Sequence, residues 1–169
     1  MKTTMHGTFL LVFSILQSTW LNSIAIFNVK PNLFLVYVIM ICCFCSRIEG
    51  ATLGFVFGFV LDILIGRFWG MNTVLGMIAG FFIAHLCERV LGNNNILIIL
   101  LIVLIGSFVY EGIYYFVSYL FSENLNFKTA IFRIIFIESL YNAVAALPVY
   151  FLAARFIKRL YVDKGENIG

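Results

Sequence analysis

Six long apolar stretches separated by short polar punctuation organise the chain: Thr8 to Phe27, Pro31 to Ser46, Gly50 to Gly66, Gly70 to Glu88, Asn95 to Phe121 and Thr129 to Ile157. As helices, they are long enough, or nearly so, to cross a hydrocarbon core of about 30 Å. The pattern predicts an all-α integral membrane protein: one polytopic domain over residues 1–169, built as a bundle of six transmembrane helices. The second and third stretches approach the lower length limit, and their merging into one bent hairpin makes five helices the rival count. The first run, about twenty residues long, suits a retained span better than the shorter apolar region of a secretory signal.

Polar residues inside the apolar stretches carry the next level of information. In "GATLGFVFGFVLDILIGRFWG" every fourth residue is glycine except one: Gly50, Gly54, Gly58, Asp62, Gly66 and Gly70. Residues four apart lie on one side of a helix, so the track forms a shallow groove that a second backbone can approach closely. In lipid such contact is van der Waals packing, and small-xxx-small patterns mark helix crossings. Gly76 and Gly80, followed by Ala84, repeat the device on the next stretch. The glycines are therefore expected to serve helix packing.

An aspartate at a helix centre costs about 2.5–3.5 kcal/mol on insertion scales, so Asp62 calls for a partner. Read by depth, Asp62, Glu111, Arg133 and Glu138 fall at comparable levels on three helices, and Asn72, Tyr141 and Asn142 could extend the set. Intramembrane charges usually face the protein interior and pair with one another. A polar cluster is expected, with Arg133 set against Asp62 or Glu111. A structural clasp and a partner-facing or ligand pocket are both open readings. If Asp62 serves packing or docking, Asp62→Asn should be tolerated better than Asp62→Leu, because the amide keeps hydrogen bonding.

Composition agrees with the pattern: 63% of the 169 residues are hydrophobic, 11% are charged and the mean hydropathy is +1.05. An inward N-terminus puts Lys2, Arg47, Arg89, Arg155, Lys158, Arg159 and Lys164 on the cytoplasmic side, against Lys30, Arg67 and Lys128 outside. That asymmetry predicts a multi-pass protein with both termini in the cytoplasm. The net charge of +3 then reflects basic residues such as Arg155, Lys158 and Arg159 meeting anionic lipid at the inner surface, and nucleic-acid binding is not expected. Cys42, Cys43, Cys45 and Cys87 have no metal-ligand spacing with His6 or His85, so small buried thiols, no metal and no cofactor are expected. No Gly-x-Ser-x-Gly or HExxH motif occurs, and only two aspartates are present; the chain does not read as an enzyme.

The segments "KPNLFLVYVIM", "RIEGATLGFVFGFVLDILIGRFWGMNTVLGMIAGFFIAHLCERV" and "ESLYNAVAALPVYFLAARFIKRL" together resemble the rod shape-determining MreD family. The shared features are an EG turn, a glycine-rich helix ending in D-x-x-x-G, a G-x-N segment and a closing helix with Tyr-Asn, proline and a basic end. Asn32 stands where the family often has aspartate. The resemblance implies a non-enzymatic protein of the bacterial cytoplasmic membrane that binds MreC and links MreB filaments to RodA and a class B penicillin-binding protein. It also implies a fold similar to the substrate-binding subunits of energy-coupling-factor vitamin transporters. Such a subunit is the alternative reading, although the Ala-x-x-x-Ala docking element is missing from the first stretch.

Overall fold

The computed structural model describes residues 29–65, 68–90, 96–121 and 135–157, with Thr8 and Val12; side chains are described as far as Phe151. Among these residues there are five helices and no strand: α1 (Leu33–Cys42), α2 (Arg47–Ile65), α3 (Met71–Val90), α4 (Ile96–Phe121) and α5 (Phe136–Ile157). The first expected span lies outside the described residues apart from Thr8 and Val12, which are helical. Two helices, α3 and α4, are long and apolar enough to cross a membrane.

The second expected span needs correction. Its helix, α1, has ten residues, about 15 Å at the helical rise and half the thickness of a hydrocarbon core. A capping box explains the early stop. Ser46 Oγ accepts from the Glu49 N–H (3.4 Å) and Glu49 Oε2 accepts from the Ser46 N–H (3.3 Å), which starts α2 at Arg47 rather than Gly50. The chain must leave the helical path before Ser46, and it does so in the Cys43–Phe44 turn. All ten residues of α1 are buried, as expected of a helix that is apolar on every side. It forms the centre of the bundle and packs against α2, α3, α4 and α5.

The outer faces are inverted relative to a soluble protein. Phe55, Phe59 and Leu64 of α2, Ile78, Phe82 and Leu86 of α3, and Leu101, Ile105 and Phe116 of α4 are all exposed. A continuous apolar surface of this kind suits lipid rather than water.

Helix directions follow from a few contacts. α2 and α3 are antiparallel and form the most closely packed pair. Asn32, just before α1, meets Asn142 of α5, and Ala146 and Val149 continue into the core that α1 occupies. Hence α5 runs alongside α1. Tyr110 of α4 reaches Asn72 at the start of α3, while Gly106, a turn earlier, lies beside Ile39 and Ile83. α4 is therefore opposed in direction to α1, α3 and α5.

Candidate functional site

The glycine track brings α2 against α3 backbone to backbone. Gly50 lies against Gly80, Gly54 against Gly76 and Gly58 against Asn72, in antiparallel steps of four. A Cβ on Gly50 would sit 2.6 Å from the Gly80 carbonyl oxygen, and Cβ atoms on Gly54, Gly58, Gly76 and Gly80 would meet partner carbonyls more closely still. In their place the glycine hydrogens point at those oxygens, the geometry of Cα–H···O contacts. Gly70 is a correction to the expected groove. It lies in the turn before α3 with φ +87° and has no atom within 4 Å of its Cβ position, so backbone conformation rather than close packing requires it. Gly66 lies outside the described residues.

The close approach places Asp62, the next position of the track, at the N-terminus of α3. Asp62 Oδ1 accepts from the Asn72 N–H (3.0 Å) and the Asn72 side-chain amide (3.0 Å). Oδ2 accepts from the Thr73 N–H (2.9 Å) and the Thr73 hydroxyl (2.6 Å). These two N–H groups belong to the first turn of a helix, where backbone donors lack intrahelical acceptors and the dipole favours negative charge. Gly70 precedes the helix and has no side chain to cap it, so Asp62 supplies the cap from the neighbouring helix. The residue is only 3% exposed but its carboxylate is fully engaged, which offsets the penalty of burial.

Tyr110 of α4 extends the network by donating from its hydroxyl to Asn72 Oδ1 (2.9 Å). Asn72 thus donates to Asp62 and accepts from Tyr110, so its amide orientation is determined twice. Tyr110→Phe removes one buried bond without changing shape. We expect a stability loss of about 1 kcal/mol with the fold retained, measured by thermal unfolding in detergent.

A second polar group forms where α4 meets α5. The Glu111 carboxyl, 5% exposed, lies against the Asn32 side chain and the Glu138 carboxyl. Asn32 caps α1 through its side chain, which accepts from the Leu35 N–H (3.1 Å), and its own N–H donates to Asn142 Oδ1 (2.7 Å). The single expected cluster is thus two, Asp62 with Asn72 and Glu111 with Glu138, Asn32 and Asn142, joined through the neighbours Tyr110 and Glu111. Arg133 lies outside the described residues, as do Lys158 and Arg159; only the backbone of Arg155 is described, within α5. Thr73 and Tyr110 were not singled out from sequence.

At the opposite end of the hairpin Arg47 donates to Glu88 Oε2 at 2.7 Å. These side chains are 47% and 39% exposed, which keeps the pair weak. Arg47→Ala is expected to change stability by less than about 1 kcal/mol in the same unfolding measurement. The four cysteines are buried and free, and no metal-binding cluster of His, Cys, Asp or Glu occurs among the described residues.

Fold and site together define an all-helical membrane protein whose polar groups serve contacts between helices. The rod shape-determining protein MreD family model matches residues 2–160, nearly the whole chain. The chain belongs to the MreD family, and its role lies in rod shape determination. No curated protein and no solved structure matches it.

Proposed function

We propose that this protein is a non-enzymatic, multi-pass component of the cell-elongation machinery in the bacterial cytoplasmic membrane. In this reading it binds MreC and links MreB filaments to peptidoglycan synthesis by RodA and a class B penicillin-binding protein. The family match over residues 2–160 carries the reading. The close-packed α2–α3 hairpin supports it, because a rigid pair with apolar outer faces offers a fixed surface to partner helices. With both termini cytoplasmic, Arg155, Lys158 and Arg159 lie at the inner leaflet beside MreB. Replacing all three by glutamine should disturb MreB-dependent cell shape, and normal shape would remove that contact from the proposal.

The vitamin-transporter alternative finds less support. The four acceptor sites used at Asp62 are taken by Asn72 and Thr73. The nearby recess of about 440 Å³, between Phe68, Trp69, Met71, Leu75, Val117 and Phe121, is lined by apolar side chains unsuited to a hydrophilic vitamin. A mild-detergent pull-down from native membranes, with mass spectrometry of proteins and extracted small molecules, separates the readings. Recovery of an MreC-like protein and cell-wall synthases is expected. Recovery of two ATPases, a coupling subunit and a bound vitamin would replace the proposal with the transporter reading.

A further inference from the structure

Glu111 of α4 lies against Glu138 of α5, and the two helices run in opposite directions. Stepping four residues along each, away from that contact, puts Ser107 opposite Asn142 and then Val103 opposite Ala146. Burial follows the same ladder, since all four of these residues are 0% exposed. The Val103–Ala146 layer is apolar and the Ser107–Asn142 layer is not.

That polar layer lacks protein partners. Ser107 Oγ and Asn142 Nδ2 are buried and make no hydrogen bond among the described residues. Their orientation is not a free choice, because Asn142 Oδ1 accepts the Asn32 N–H and turns the two amide hydrogens the other way. On that register the two buried groups share one layer without a protein partner, and leaving such groups dry costs roughly 1–3 kcal/mol each. The occupant must accept from an amide and exchange hydrogen bonds with a hydroxyl. A cation fails the first requirement, because the amide hydrogens would point at it. Water meets both, and buried waters typically bridge otherwise unsatisfied groups through two to four bonds.

We infer that α4 and α5 enclose a buried water site lined by Ser107 and Asn142 and bordered by the carboxyl groups of Glu111 and Glu138. The site makes the α4–α5 contact a hydrated joint within a bundle whose α2–α3 contact is dry backbone packing. It is independent of which partners the protein binds.

Two measurements on the full chain in lipid nanodiscs test the site. An experimental structure that resolves ordered solvent should show a peak within about 3.2 Å of both Asn142 Nδ2 and Ser107 Oγ. Direct bonding between these groups, a side chain from another segment in the space, or a cation held by Glu111 and Glu138 with the amide turned away would each overturn the inference. X-ray radiolytic labelling in oxygen-18 water gives a second reading, because bound water generates hydroxyl radicals beside buried side chains. Tyr110, 4% exposed and about one helical turn from Ser107, should be labelled well above Phe57, which is 1% exposed and belongs to α2, a helix packed against α1 and α3 rather than at the α4–α5 contact. Equal labelling of the two would contradict a water site.

Discussion

Gly54→Leu is expected to abolish the accumulation of folded protein, and Gly54→Ala to destabilise it by about 3 kcal/mol, the upper part of the usual range for overpacking. The reason is the nature of the obstacle. A Cβ at Gly54 meets the carbonyl of Gly76, which is backbone held within a helix rather than the end of a flexible side chain. Relief requires moving α3 as a body, and this would separate Gly50 from Gly80 and Gly58 from Asn72 as well. Gly112→Ala supplies the control, since nothing lies within 4 Å of the Cβ position there. It should be neutral or stabilising by up to about 1 kcal/mol through helix propensity alone. Thermal stability of the purified variants, followed by size-exclusion chromatography in detergent, reads both effects. Equal stability of Gly54→Ala and Gly112→Ala would show that the two backbones do not touch.

Asp62→Asn is the second large effect. The carboxylate accepts four bonds, two on each oxygen, whereas an amide has one accepting oxygen and a donating NH₂ group. Either the Asn72 pair or the Thr73 pair of donors then faces another donor. Losing two bonds to a charged acceptor should cost roughly 3 kcal/mol. Asp62→Leu removes all four bonds and leaves two buried N–H groups of α3 without acceptors, so little folded protein is expected. The expected order is asparagine better tolerated than leucine, with the amide preserving only half of the interaction. The check is the midpoint of thermal unfolding for each variant. A wild-type midpoint for Asp62→Asn would mean that the cap contributes nothing.

Much of the α2–α3 hairpin was legible in the sequence because its cause is local and periodic. Spacings of four in Gly50, Gly54 and Gly58, answered by Gly76 and Gly80, are sufficient to propose a close helix crossing. The interruption at Asp62 marked the polar site. Its partner was not legible, because a carboxylate in an apolar helix suggests a cation, whereas the donors here are the backbone N–H groups and side chains of Asn72 and Thr73. The available cue was an Asn-Thr pair in the first turn of the following helix, behind a glycine unable to cap it. The length of α1 was not legible for another reason: Leu33 to Cys45 is uninterrupted in hydrophobicity, and hydrophobicity does not mark where a buried helix ends. The signal lay downstream, in Ser46 and Glu49, whose reciprocal capping forces a new helix to begin. Separation of the polar residues into two groups depends on neighbours Tyr110 and Glu111, about 100° apart on α4, reaching different partners, Asn72 of α3 and Glu138 of α5, which single-helix depth cannot resolve.

Asp62 and the N-terminus of α3 act as one unit, and a double-mutant cycle between Asp62→Asn and Thr73→Val measures their coupling. Thr73→Val keeps the side-chain shape and the backbone N–H but removes the hydroxyl that donates to Asp62 at 2.6 Å. The double variant is expected to lose less stability than the two single losses added together, by more than about 1 kcal/mol. Additivity within about 0.5 kcal/mol, as found for independent sites, would contradict it.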